Sequence, residues 1–66
     1  MKLYQIARVL TDSTNVVVFP MDRDGKINGE FEGKASAFRD HENDWEIYDV
    51  EPDGNDIVIS VLSHMA

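Results

Sequence analysis

The sequence contains no cysteine in its 66 residues. That absence excludes a disulfide framework and thiolate metal sites, and it fits a reducing compartment, so we expect a cytoplasmic protein. The apolar N-terminal run is interrupted by Gln5 and Arg8, which is typical of neither a signal peptide nor a membrane span. A chain of this length buries roughly 60% of its unfolded surface. We therefore expect one compact domain over residues 1–66.

Lysine and arginine are missing from residues 40–66. Residues 1–38 balance five bases against five acids, whereas Arg39 is the last base and the full net charge of −7 arises from Arg39 onward. Such a charge repels a phosphate backbone, which argues against direct nucleic-acid binding and indicates a partner with a basic surface instead. Between residues 40 and 56 lie eight carboxylates: Asp40, Glu42, Asp44, Glu46, Asp49, Glu51, Asp53 and Asp56.

Patterns of catalytic and cofactor-binding residues are also absent. Ser36, Asp40 and His41 are neighbours on one short segment, where they cannot line up as nucleophile, orienting acid and base. The glycines form neither a dinucleotide-binding motif nor a P-loop. His41 and His64 do not have the spacing of a zinc site. We therefore predict no enzymatic activity, no cofactor and no metal.

One segment is calcium-like. Residues 20–28 resemble the middle of an EF-hand or dockerin-type loop, with Asp22, Asp24 and Gly25 at the third, fifth and sixth loop positions. Calcium sites depend on carboxylates at the first and twelfth positions, which here are Pro20 and Phe31. The favoured interpretation is a hairpin turn, and a weak calcium-binding turn at 22–28 is the alternative.

The first half of the chain predicts strands joined by turns. Residues 3–10 can be read as a strand or, because Leu3, Ile6, Ala7 and Leu10 recur at helical spacing, as a helix. The β-branched run at 15–20 favours a hairpin of 3–10 with 15–20, in which Pro20 lies at a strand end or on an edge. A third strand is predicted over 26–33, with a bulge or turn at Asn28 and Gly29.

The second half predicts a short helix and a hairpin. Ser36 can cap a helix over residues 37–43. A strand over 45–50, a turn over 51–55 and a strand over 56–62 follow. The last strand is almost entirely apolar, and an exposed edge of that kind would promote aggregation, so we place it in the middle of the sheet.

These elements together predict an α+β fold, in which a mostly antiparallel sheet of four or five strands carries one short helix before a C-terminal hairpin. Trp45, the single tryptophan, is expected in the core because it shares a strand face with Ile47. The predicted core consists of Ile6, Val16, Val18, Phe31, Phe38, Trp45, Ile47, Ile57, Ile59 and Val61.

The acidic segment is the candidate functional site. Asp40, Asp44 and the acids between and after them alternate, so an extended chain would align them about 6.6 Å apart, and a helix would still align Asp40 with Asp44. Such a file can imitate a phosphate backbone toward a protein that binds nucleic acid. In size, charge and lack of cysteine the chain is similar to the small acidic inhibitors encoded by phages and mobile elements. The predicted partner-binding residues are Asp40, Glu42, Asp44, Glu46, Tyr48, Asp49 and Glu51.

Two other functions are compatible with the same residues. The chain can be an accessory or assembly protein that associates through a sheet edge, with its charge serving only solubility. The calcium-binding turn is the third possibility. The oligomeric state does not follow from the sequence.

Overall fold

The computed structural model describes residues 1–62, and they form one mixed four-stranded sheet with helical segments on one side. The strands are β1 (Asn15–Met21), β2 (Phe31–Lys34), β3 (Glu46–Asp53) and β4 (Asp56–Leu62). Their order across the sheet is β2-β1-β4-β3, with β1 and β4 parallel and the two outer pairs antiparallel. The predicted α+β class, the mostly antiparallel sheet and the C-terminal hairpin are confirmed.

The first element, however, is a helix and the prediction of a strand over 3–10 is wrong. Helix α1 spans Leu3–Ala7, and the backbone N–H of Lys2 donates to Gln5 Oε1 at its start (2.8 Å). Leu3 and Ala7 are each 1% exposed. Both sides of β1 are already paired, with β2 and β4. The helical spacing therefore prevails, because it turns the apolar residues onto the sheet while a strand here could not pair with β1.

The third strand is shorter than predicted. Only Phe31–Lys34 is strand, and Ile27 makes one isolated bridge to Met21. The predicted helix over 37–43 is also wrong in its bounds, because the segment is a 3₁₀ helix over Ala35–Phe38 without a side-chain cap. Ser36 therefore does not cap it. Short 3₁₀ segments are common where a strand ends in a tight turn and the chain changes direction.

The C-terminal hairpin is longer and its turn is tighter than predicted. Asp53 pairs with Asp56, so the turn consists of Gly54 and Asn55 alone. Gly54 has a φ of 63°, and no non-glycine residue among 1–62 has a positive φ, which is the pattern of a type II′ hairpin turn. Pro52 lies within β3, where it is tolerated because β3 is an edge strand.

The core lies between the sheet and the helical segments. Val16, Val18, Ile59 and Val61 are fully buried, and five further predicted residues pack partly buried against them: Ile6, Phe38, Trp45, Ile47 and Ile57. Phe31 is 48% exposed, so its place in the predicted core is wrong. The buried residues Leu3, Ala7 and Ala35 were not predicted.

The placement of β4 in the middle of the sheet is confirmed. Pro20 lies one residue before the end of β1, beyond the residues that pair with β2, as predicted for a residue without an N–H. No helix among residues 1–62 is long and apolar enough to cross a membrane.

Candidate functional site

The sheet has two distinct faces, fixed by the register of its strands. On the core face, Val16 pairs with Ile57 and Val18 with Ile59, and the helical segments cover these residues. Because side chains alternate along a strand, the intervening residues lie on the opposite side. We call this opposite side the open face. Its members on the central strands are Asn15, Val17, Phe19, Met21, Asp56, Val58, Ser60 and Leu62.

The acidic residues of β3 belong to the open face. Asp49 pairs with Ser60, Glu51 with Val58, and Asp53 with Asp56. Three of the four β3 carboxylates, Asp49, Glu51 and Asp53, are exposed and follow one another at every second residue, which places them about 6.6 Å apart along the strand. Two of them, Asp49 and Glu51, are predicted site residues, and the structure brings them into one row. We call Asp49, Glu51 and Asp53 the β3 carboxylate row.

The row continues across the hairpin onto β4. Asp53 lies directly opposite Asp56, an arrangement of like charges that destabilises a sheet. Asn15 partly offsets this repulsion, because its Nδ2 donates to Asp56 Oδ1 (3.1 Å) and to Glu32 Oε2 (3.0 Å). The amide thus joins two carboxylates from β2 and β4 across β1.

Glu46 differs from the other predicted site residues because its charge is compensated. The N-terminal ammonium group of Met1 donates to Glu46 Oε2 (2.7 Å), and Lys2 Nζ lies 3.8 Å from Oε1. The backbone N–H of Ile47 also donates to the Met1 carbonyl. Together these contacts hold the first residues of the chain against β3. Glu46 therefore has a structural role whether or not a partner binds nearby.

Residues 40–45 are neither strand nor helix, so the expected regular file from Asp40 to Glu46 is not formed. Asp40 starts a turn, in which its carbonyl accepts from the N–H of Asn43 (2.9 Å) and its Oδ1 from that of Glu42 (3.3 Å). The turn arises because Asp side chains compete for nearby backbone amides. Asp40, Glu42 and Asp44 are all exposed, but the strand geometry that aligns carboxylates begins only in β3.

The two aromatic residues of the acidic segment, Trp45 and Tyr48, have different environments. Trp45 is partly buried against the core and stacks obliquely on Phe31, with ring centroids 5.7 Å apart. Tyr48 is 65% exposed and is the extra residue of a β-bulge between Ile47 and Asp49. Bulges redirect side chains and interrupt pairing, so Tyr48 stands out beside the β3 carboxylate row as an accessible aromatic.

The calcium-like segment folds as a turn that uses its own carboxylate. Asp22 Oδ1 accepts from the backbone N–H groups of Asp24 (2.9 Å) and Lys26 (3.0 Å). These bonds are typical of an Asx turn. Among residues 1–62, no group of three or more His, Cys, Asp or Glu side chains is placed to hold a metal ion.

His41 is the histidine within the part of the chain that is described, and its neighbours are aromatic and basic. His41 stacks on Tyr4 with ring centroids 4.7 Å apart, and the Arg8 guanidinium lies 4.8 Å from the same tyrosine ring. His64 lies outside the described residues.

Two groups of residues on the open face were not among the predicted site residues. Asp53 and Asp56 extend the row. They lie two and five residues after Glu51, and this spacing places them on the same face once the hairpin register is known. The apolar residues Val17, Phe19 and Val58 were missed because the core prediction assigned only one face of each strand. Their signal was a run of apolar residues without alternation.

Comparison with known proteins adds no relative: no family model, no curated protein and no solved structure matches the chain.

Proposed function

We propose that this chain is a non-enzymatic binding module that engages a basic protein surface through its carboxylates, as an inhibitor that imitates nucleic acid. The observation that carries the proposal is the β3 carboxylate row. Its regular spacing along a strand presents evenly placed negative charges to a partner. A phosphate backbone presents its charges to basic side chains in a similar way.

The cost of the arrangement supports a functional role. Asp53 faces Asp56 across the hairpin, although like charges at that position destabilise the sheet. The Asn15 amide offsets only part of this repulsion, and residues that oppose local stability are expected at functional sites. Solubility alone would be served equally well by carboxylates that are scattered over the surface.

Glu42, Asp44 and Tyr48 are the remaining residues of the proposal, and the segment of the two carboxylates accepts hydrogen bonds from helix α1 through the carbonyls of Asn43 and Trp45, on the helix side of the sheet. Both carboxylates are exposed in the segment that leads into β3, and Tyr48 supplies a rigid aromatic of the kind enriched at binding hot spots. Asp40 lies at the start of the same segment.

The test compares two double variants with the same net charge. Asp49→Asn with Glu51→Gln removes two charges from the row, while Asp24→Asn with Glu30→Gln removes two exposed charges elsewhere. An affinity pull-down identifies partners of the wild-type protein, and calorimetry with the purified partner then gives the dissociation constants. We expect the first variant to weaken binding at least about tenfold and the second to have little effect, because close charge pairs contribute about 1.5 kcal/mol or more.

Salt and nucleic acid provide two further readouts. Raising the salt concentration to about 0.5 M should weaken binding strongly, since the Debye length falls well below 10 Å. Added double-stranded DNA or RNA should displace the chain from its partner if the two share a site. Binding that is insensitive to salt would contradict the electrostatic proposal, and binding without competition would contradict the imitation of nucleic acid.

Association through a sheet edge is the competing function. The β3 edge carries Pro52, a bulge and the carboxylate row, all of which oppose edge pairing. The β2 edge, Phe31–Lys34, is only four residues long but exposes Phe31, so it is where such association would occur. Size-exclusion chromatography with light scattering distinguishes the two functions, because a stable oligomer at low concentration favours edge association.

A further inference from the structure

Both faces of the two central strands carry apolar residues, although residues 1–62 cover only one of these faces. Val17 and Phe19 on β1 and Val58 and Leu62 on β4 lie on the open face. Each is only partly exposed, because side chains on neighbouring strands shield one another. Strands with apolar residues on both sides are typical of sheets that are covered on both sides.

No described element covers this second face. The residues that pack against the core cluster all lie on or above the core face, and none of the four apolar open-face residues is among them. The Cα positions span only 16 Å in the thinnest direction, which fits one sheet and one helical layer, since packed layers lie about 10 Å apart. The open face thus carries an apolar strip two strands wide over residues 17–21 and 58–62, interrupted by Ser60 and bounded at one end by Asn15 and Asp56.

The strip is bordered by negative charge on its β3 side. Asp49, Glu51 and Asp53 run along one flank, and Glu32 lies on the opposite flank. The bases on this face are Lys34 on the outer strand β2 and Lys2, which lies near Glu46. A second copy of the chain would bring like charges together, and an anionic membrane would be repelled for the same reason. Charge complementarity therefore selects a partner that is apolar in the middle and basic at its side.

The dimensions of the strip match an α-helix. The apolar positions run over residues 17–21 and 58–62, or about 13 Å at 3.3 Å per residue, which is the length of about nine helical residues. A helix about 10 Å wide covers two strands spaced about 4.8 Å apart and reaches the next strand with its side chains. Long basic side chains on that flank would meet the β3 carboxylate row.

We propose that the open face binds an amphipathic helix of a partner protein, with its apolar stripe on Val17, Phe19, Val58 and Leu62 and its Lys or Arg residues against Asp49, Glu51 and Asp53. This inference rests on the proposed function and deepens it by naming the form of the basic partner. It adds the requirement that the partner's apolar residues, and not its charge alone, contribute to binding.

The experiment uses two peptides of about 18 residues with the same Leu and Lys composition. One has the order of an amphipathic helix, and the other is scrambled so that its apolar stripe is lost. Calorimetry gives the affinities, and two-dimensional NMR maps the contacted amides. We expect the amphipathic peptide to bind at least about tenfold more tightly, because only its leucines can be buried together, with the largest shifts in β1 and β4.

A matched pair of variants locates the site. Val17→Thr with Val58→Thr keeps the β-branched shape but places hydroxyls on the open face, and it should weaken the amphipathic peptide about tenfold. Val9→Thr with Val50→Thr makes the same exchange away from that face and should leave the affinity unchanged. Chemical denaturation of all three proteins checks that they are folded.

Each other result overturns the inference in a distinguishable way. Equal binding of both peptides would refute it and leave the electrostatic function standing. If neither peptide binds, the proposed function fails as well. Sedimentation that reveals a dimer of the free protein, lost on Val17→Thr with Val58→Thr, would assign the face to a second copy and refute the helical partner.

Discussion

Arg39 joins the end of helix α1 to the segment that follows the 3₁₀ helix, and its removal should destabilise the fold. Its Nε donates to the carbonyl of Ala7 (3.0 Å), and one terminal nitrogen donates to that of Leu10 (2.7 Å). The other terminal nitrogen lies 2.5 Å from Asp12 Oδ1. Arg39 thus satisfies carbonyls near the helix C-terminus, where a positive charge also interacts favourably with the helix dipole.

The expected loss of stability is the sum of what the three contacts of Arg39 contribute. Hydrogen bonds that involve a charged group contribute about 1.5 kcal/mol or more each, but the side chain of Arg39 is 31% exposed and water can replace part of them. The pair with Asp12 contributes little, since that carboxylate is 79% exposed. We expect Arg39→Ala to lower the free energy of unfolding by about 2 kcal/mol, which lowers the melting temperature by roughly 8–16 °C in a domain of this size.

Urea denaturation followed by circular dichroism measures the change, and two further variants control it. Asp12→Asn removes only the exposed ion pair and should cost less than about 0.5 kcal/mol. Arg39→Lys keeps the charge but loses the forked geometry, so its cost should lie between the other two. The reasoning is refuted if Arg39→Ala unfolds at the wild-type midpoint, or if Asp12→Asn costs as much as Arg39→Ala.

Three other predictions address the core, the hairpin and the calcium-like turn. Leu3→Ala should lower the free energy of unfolding by about 3 kcal/mol because Leu3 is 1% exposed. Val9→Ala, at a residue 79% exposed, should change it by less than about 0.5 kcal/mol. Equal losses of stability for the two variants in chemical denaturation would contradict the helix assignment. Gly54→Ala should cost about 1 kcal/mol because φ is 63°, and an unchanged denaturation midpoint would contradict the type II′ turn. Asp22→Ala should cost about 1 kcal/mol through its lost bonds to two backbone amides. Millimolar calcium should leave the wild-type melting temperature unchanged, and a rise that Asp22→Ala abolishes would support the calcium-binding alternative.

Local sequence patterns were sufficient to predict those elements whose residues are compatible with only one secondary structure. The run from Ile57 to Leu62 is so apolar that only a central strand suits it, and β4 is central. The β-branched run at residues 15–20 likewise predicted β1. The segment at 3–10 satisfied two periodicities at once, and no local signal decides between them. The decision came from the sheet, in which β2 and β4 occupy both sides of β1.

Some features of the candidate site were likewise predictable from local sequence, and others were not. The sign, the amount and the approximate position of the charge follow from the amino-acid sequence, because residues 40–66 contain no Lys or Arg. Which carboxylates share one face depends on the fold. Asp40 is used in a turn and Glu46 is compensated by the chain start, while Asp49, Glu51 and Asp53 share one face of an edge strand. The physical reason is that sequence fixes charge residue by residue, whereas alignment and an uncovered apolar face depend on strand register and on which side the helices pack.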